Sequence, residues 1–147
     1  MSNTIQGECF CGEVKIELTG QADAMGYCHC ESCRHWSGDP VHAWTIWTES
    51  QVTFASGEDE VHTFHKDPES LSHRKFCSKC GGHLAIHHPT LGIYDVFPCI
   101  LQDFEFNGEV HINYSEWVMK AADDLPKFKD FPPELAEAFG GTGEEMP

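Results

Sequence analysis

The feature that most constrains this chain is the distribution of its eight cysteines. Seven of them fall into three short groups, which are Cys9-x-Cys11, Cys28-x-Cys30-x-x-Cys33 and Cys77-x-x-Cys80. The first six residues have neither the charged nor the apolar segment of an export signal, so we expect a cytoplasmic protein with reduced thiols. Cysteines separated by a single residue would also make poor disulfides, whereas they can bind one ion together. We therefore interpret the three groups as metal ligands.

Two of these groups are predicted to form one complete zinc site. Cys9 and Cys11 precede the first predicted strand, and Cys77-Ser-Lys-Cys80-Gly81 has the form of a zinc knuckle. In such a turn, backbone N–H groups point at the sulfurs and the glycine relieves the backbone. Four thiolates in two pairs make a closed tetrahedral site, which is typical of structural zinc. Zinc binding of this kind contributes roughly 10–16 kcal/mol to folding.

The remaining group offers three thiols. If Cys28 and Cys30 end an extended segment, the period of two places both sulfurs on one face, and the next turn brings Cys33 back to them. Three protein ligands leave one position of a zinc ion open, as in catalytic sites. His29 alternates with the cysteines, so we expect it to point away. The other candidates for a fourth ligand are His35, His42, His73 and Cys99, the last of which we interpret as a small buried hydrophobic residue.

The rest of the chain predicts a mainly β protein with short antiparallel strands. Residues 13–19 alternate polar and apolar side chains, and turn residues separate further β-rich segments. About nine strands are expected, including 13–19, 41–47, 51–54, 61–64, 71–76, 83–87, 93–100 and 111–114. A helical turn is expected at 32–36, and a small C-terminal helix at 134–139, after two prolines and before two glycines. We predict a single domain, 1–147, with a core at about 5–118 and an arm and helix at 119–147.

The charge of the chain limits its partners. The formal net charge is −15, and binding to nucleic acid or anionic membranes requires basic patches. No apolar run approaches the roughly 20 residues of a membrane span. The composition therefore argues against nucleic acid, an anionic membrane or a membrane span.

The motifs resemble a known family. Cys9-x-Cys11-Gly12-x-Val14, Cys28-His29-Cys30-x-x-Cys33-Arg34-x-x-Ser37-Gly38 and Phe76-Cys77-x-x-Cys80-Gly81 are similar to those of the glutathione-dependent formaldehyde-activating (GFA) family. The resemblance extends over about residues 5–118 and implies a zinc-containing β-tent fold. It also implies two Zn²⁺ ions per chain, with a structural ion at Cys9, Cys11, Cys77 and Cys80 and a catalytic ion at Cys28, Cys30 and Cys33.

The family name implies a carbon–sulfur lyase that joins glutathione to formaldehyde, or cleaves the adduct. A thiol that takes the open zinc position is deprotonated and can attack a carbonyl carbon held beside it. The partners would be a small thiol and an aldehyde. Arg34 and the pair Arg74-Lys75 are candidates for the glutathione carboxylates, and Arg34 and His35 for catalytic contacts. One alternative is a binding or chaperone module with two purely structural zinc sites, which requires a fourth protein ligand at the second site. Another is metal storage or sensing, which requires readily exchanged zinc at the Cys28 site.

Overall fold

The chain folds mainly into short β-strands. The computed structural model describes residues 3–147, so the first two residues of the predicted domain lie outside this range. The strands are β1 (Thr4–Glu8), β2 (Lys15–Thr19), β3 (Ala24–Cys28), β4 (His42–Thr48), β5 (Val52–Ser56), β6 (Val61–Phe64), β7 (His73–Cys77), β8 (His83–His88), β9 (Ile93–Val96), β10 (His111–Ile112), β11 (Lys127–Phe128) and β12 (Glu145–Met146). The helices are α1 (Glu31–Ser37) and α2 (Pro133–Phe139). The prediction of a mainly β fold with a small C-terminal helix is confirmed.

The described residues group into two compact units. The first comprises the chain up to Ala24 together with Thr45–Phe106, and the second comprises Met25–Trp44 and Asn107–Pro147. Strand β4 contributes residues to both units because the boundary falls within it. A single domain over 1–147 stays a prediction.

The first unit contains two antiparallel sheets and a hydrophobic core. One sheet has the order β1-β2-β5, and the other runs from the second half of β4 through β9, β8 and β7 to β6. The alternation in β2 buries Ile16 and Leu18 completely while Lys15, Glu17 and Thr19 keep contact with solvent. The core consists of buried side chains from several strands, namely Cys9, Val14, Ile16, Leu18, Trp47, Cys77, Leu84, Ala85 and Val96.

The second unit is built around parallel pairing. Strand β10 pairs in parallel with both β3 and β11, and β11 pairs antiparallel with β12. Gly26 in β3 permits a close approach, because a Cβ there would lie 2.5 Å from the Trp44 ring and 2.6 Å from the Val110 carbonyl oxygen. Strand β3 therefore runs directly into the Cys28 motif with its neighbours packed tightly against it.

Helix α1 follows this motif and is held in an unusual way. Cys30 is its N-cap, with an extended backbone and a sulfur that accepts the Cys33 N–H, and Gly38 ends it at a left-handed φ of 71°. None of its seven residues is buried. The expected turn at 32–36 is thus a short helix with caps at both ends.

Several local expectations differ from the structure. The segment 93–100 is not one strand, because β9 ends at Val96 and a 3₁₀ turn, Pro98–Ile100, follows with a proline that cannot donate to a ladder. Strands β1, β3, β11 and β12 were not expected, and the strand expected at 111–114 ends at Ile112. Cys99 is exposed rather than buried, so its interpretation as a core residue is wrong.

No helix among the described residues has the length and apolar character needed to cross a membrane.

Candidate metal centres

The first unit brings four cysteine sulfurs together. The sulfurs of Cys9, Cys11, Cys77 and Cys80 all lie within 4.8 Å of one another. The Cys11 sulfur is 3.6 Å from that of Cys9 and 3.8 Å from that of Cys77. This convergence of two pairs that are distant in the chain is the arrangement that the spacing predicted, and the group could hold a metal ion.

Backbone N–H groups point at this group, as expected of a zinc knuckle. The Val14 N–H donates to the Cys9 sulfur at 3.2 Å, and the Gly82 N–H donates to the Cys80 sulfur at 3.3 Å. The Gly82 bond is the main cause of a Cys80 pKa of about 6. The pKa of Cys11 shifts the opposite way, to about 12. A hydrogen bond from the Glu13 backbone lowers this pKa, but burial and the neighbouring sulfurs raise it by more.

These shifts test whether a cation fits the group. One sulfur is easily deprotonated and the next resists, because thiolates this close repel one another. A divalent cation among the sulfurs would remove that repulsion and allow all four to be thiolates. The donor set therefore fits zinc, the thiophilic ion that four cysteines usually bind.

The second unit brings together the sulfurs of Cys28, Cys30 and Cys33, again within 4.8 Å of one another. Cys28 is buried, and the other two are half-buried. Over residues 3–147, no histidine, cysteine or carboxylate atom joins this group as a fourth member. The predicted convergence of three thiols is confirmed, and three soft donors again fit a thiophilic ion.

The thiols of this second group also inhibit one another's ionisation. The Cys30 sulfur is the main cause of a Cys28 pKa of about 12. The sulfurs of Cys28 and Cys30 also raise the pKa of Cys33. Burial adds to both shifts. Without a cation, three thiolates cannot coexist here near neutral pH, so the metal-binding form requires an ion to replace the protons.

His29 points away from the sulfurs, as its alternation with the cysteines predicted. Its ring is fully buried, and its Nε2 lies 2.8 Å from Nδ1 of His111. His111 Nε2 contacts the Asp123 carboxylate at 2.9 Å, and Lys127 Nζ contacts the same carboxylate at 3.1 Å. With neutral rings, His111 donates to Asp123 and accepts from His29. A polar chain thus leads from the Cys28–Cys30 turn to a surface ion pair.

Burial and charge set the protonation of this polar chain. Burial is the main cause of a His29 pKa of about 4, and the positive charges of Arg34 and of a protonated His111 contribute to the same lowering. Burial raises the pKa of Asp123, but hydrogen bonds from His111 and Lys127 outweigh it and bring the value to about 2. His29 is therefore neutral and Asp123 ionised at neutral pH.

Asn113 contacts the second group directly. Its Nδ2 donates to the Cys28 sulfur at 3.4 Å. Sequence reasoning missed both residues, because Asn113 lies 85 residues from Cys28 and His111 lies 82 residues from His29. The one local signal is that both polar residues flank Ile112 with the spacing of a strand face.

The predicted substrate residues of the second unit lie on α1. Arg34 donates from Nε to the His29 carbonyl oxygen at 2.9 Å. His35 is largely exposed, and its ring lies 3.7 Å from the Glu31 carboxylate, one turn earlier. A substrate role for either residue stays a prediction.

The predicted substrate residues of the first unit are strand residues of β7. Arg74 is buried, with 7% of its surface exposed. Lys75 donates from Nζ to the Thr63 hydroxyl at 2.9 Å, and burial lowers its pKa. Their predicted contact with glutathione stays a prediction.

The comparisons with known proteins agree with this architecture. An uncharacterised lyase of Schizosaccharomyces pombe is 25% identical over 126 residues, which is 86% of this chain and 84% of that protein. A crystal structure of a Rhodobacter sphaeroides protein shares the fold with a TM-score of 0.56 at 20% identity, and the match covers 68% of this chain and 90% of that one. The model of the glutathione-dependent formaldehyde-activating enzyme family matches residues 4–116, a range that includes both cysteine groups. The chain therefore belongs to the glutathione-dependent formaldehyde-activating enzyme family.

Proposed function

We propose that this protein is a zinc-dependent carbon–sulfur lyase that forms or cleaves an adduct between a small thiol, such as glutathione, and an aldehyde, such as formaldehyde. The observation that carries the proposal is the size of the second sulfur group. It has three members where the first group has four. A three-ligand site suits chemistry on a bound substrate, whereas a four-ligand site is closed.

The two groups would hold one Zn²⁺ each. Cys9, Cys11, Cys77 and Cys80 supply a complete ligand set, so we assign them the structural ion. We assign the catalytic ion to Cys28, Cys30 and Cys33. Zinc bound there would keep a substrate thiol deprotonated next to a carbonyl carbon, and three thiolate donors make it a modest Lewis acid that favours a nucleophilic sulfur over hydrolysis.

The residues around the second group would hold its sulfurs in place. The Cys33 N–H donates to the Cys30 sulfur at 3.3 Å, which fixes one ligand at the start of α1. The His29 ring binds to His111 on the other side of the chain and so keeps Cys28 and Cys30 turned the opposite way. The sulfurs are thus oriented before substrate arrives, which is how a site limits the entropy lost on reaction.

Arg34 is our leading candidate for a substrate carboxylate. An anionic thiol such as glutathione needs a local cation on a protein with a net charge of −15. The bond from Arg34 Nε to the His29 carbonyl fixes the guanidinium beside the cysteine motif, and its Nη groups supply the planar pair of donors that a carboxylate accepts. Lys75 and the buried Arg74 are weaker candidates, and His35 is a candidate for a contact near the reacting atoms.

The test combines zinc content with turnover. Cys30→Ser should reduce the zinc content from two ions per chain to one and leave the far-ultraviolet circular dichroism close to that of the wild type. It should also abolish the acceleration of thiol-dependent formaldehyde consumption over the rate without protein. Cys99→Ser is the matched control, because Cys99 is exposed and belongs to neither group. It should retain both ions and the activity.

Two results would contradict the proposal. A Cys30→Ser variant that still binds two zinc ions would refute the ligand assignment. A wild-type protein that holds two ions but gives no turnover with glutathione or other small thiols and aldehydes would favour the alternative, a zinc-stabilised binding or chaperone module.

A further inference from the structure

Asn113 is poised to adjust the charge on one ligand of the second group. We propose that it is a positioning residue, whose amide strengthens metal binding at Cys28 and limits the electron donation of this thiolate to the ion. The inference rests on the proposed function, because it assumes that the three sulfurs bind the reactive metal. The amide donates from Nδ2 to the Cys28 sulfur at 3.4 Å.

The backbone holds Asn113 in a conformation that few residues adopt. Its φ of 51° and ψ of 36° are left-handed, a region in which asparagine is several-fold enriched. The Asn113 N–H donates to the Asp130 carbonyl at 2.7 Å, and the Asn113 carbonyl accepts the Glu116 N–H at 3.1 Å. Next to it, Ile112 is in register with Cys28. The amide is therefore aimed at the sulfur by a fixed backbone.

The kind of donor distinguishes Cys28 from the other sulfurs described above. Cys9, Cys30 and Cys80 each accept a backbone N–H, from Val14, Cys33 and Gly82. A backbone donor is part of the turn itself and changes little with sequence. A side-chain donor can be exchanged without altering the fold, so Asn113 is a position at which the properties of this site can be tuned.

Charge provides the reason for a donor at this position. Three thiolates and a divalent ion sum to −1, and a substrate thiolate would make the sum −2. Cys28 is only 5% exposed, so water offers its sulfur little stabilisation. A hydrogen bond from Asn113 spreads part of the negative charge and should stabilise the thiolate more than the thiol. Partners of this kind typically change metal affinity by about 10–100-fold.

The test uses two substitutions of Asn113 and a matched control. Asn113→Gly removes the amide and keeps the left-handed backbone without strain. Asn113→Asp keeps the shape but replaces the donor with a negative group. Asp103→Gly is the control, because Asp103 also has a φ of 51° but is exposed and lies in the first unit.

The measurements are zinc affinity by chelator competition and the sulfur-to-metal charge-transfer band of cobalt-loaded protein, with Cys30→Ser protein giving the contribution of the first site. We expect about tenfold weaker zinc binding at the second site for Asn113→Gly, about a hundredfold for Asn113→Asp, and a shifted cobalt band in both. Asp103→Gly should match the wild type.

The result that would overturn the inference is an Asn113→Gly variant with wild-type zinc affinity and an unchanged cobalt band. An equal loss in Asp103→Gly would also refute it, because the effect would then belong to the backbone change. Weaker affinity and a shifted band in a protein whose wild type gives no thiol–aldehyde turnover would refute the proposed function alone and support the role of Asn113 in metal binding.

Discussion

Removing the charge of Asp123 should weaken the second unit in a manner that depends on pH. The carboxylate accepts from the His111 ring at 2.9 Å and from Lys127 Nζ at 3.1 Å. His111 is almost completely buried, with 3% of its side chain exposed. Asp123→Asn preserves the shape and one acceptor oxygen, but it removes the charge that both donors face.

The pKa of Asp123 gives the size of the effect. A fall from 3.8 to about 2 corresponds to about 2.4 kcal/mol, at about 1.36 kcal/mol for each tenfold change in acid strength. Since 40% of the carboxylate side chain is exposed, solvent screening reduces the contribution to about 1 kcal/mol. The folded-state pKa is the lower one, so this stabilisation is complete above about pH 4 and is lost as the pH falls towards 2. About half of it should remain at pH 3.

Denaturation in guanidinium chloride at pH 7 and pH 3 would measure this effect. The readout is the difference between the wild type and Asp123→Asn at each pH, because metal release in acid affects both proteins alike. Asp124→Asn is the control, since Asp124 is an exposed neighbour of the same charge. A difference that stays constant between the two pH values, or an equal loss in Asp124→Asn, would refute the link between this carboxylate and the buried histidines.

Two further substitutions test the packing of each unit by the same denaturation assay. Gly26→Ala should cost about 3 kcal/mol or more, because the new methyl group would meet the Trp44 ring at 2.5 Å and the Val110 carbonyl at 2.6 Å; a loss under about 1 kcal/mol would contradict the close approach. Thr45→Val should cost about 1–3 kcal/mol, because it removes the hydroxyl that accepts the buried Trp47 Nε1–H at 2.8 Å, and an unchanged midpoint would mean that the indole finds another acceptor.

The cysteine groups could be predicted because their geometry is largely local. Spacing along an extended segment and a tight turn place Cys28, Cys30 and Cys33 together without information from the rest of the fold. Cys11 and Cys77 are 66 residues apart. Their shared site could still be predicted from the number of ligands, since two pairs of cysteines supply the four thiolates of a tetrahedral site. Strand β2 could also be predicted, because strict alternation of polar and apolar residues indicates a strand with one buried face.

The partners of the second group could not be predicted, because tertiary pairing alone brings them there. His111 is one of ten histidines, and its selection depends on the parallel pairing of β10 with β3. Strand β3 itself was missed since Gly26 weakens the β signal, although the same glycine permits the close packing of that strand. A strand is therefore hardest to predict from sequence where a residue such as Gly26 is needed for close packing and is at the same time unfavourable in strands.

The position of the second cysteine group at the start of α1 couples metal binding to helix formation. A helix of seven residues without a buried side chain is too short to persist alone in water, because nucleating its first turn is unfavourable. Cys30 and Cys33 stand on either side of that turn, so an ion that joins their sulfurs would serve as its nucleus. Metal uptake and the coil-to-helix transition would then be a single event. The affinity measured for the ion would be the intrinsic affinity of the sulfurs reduced by the free energy of ordering α1.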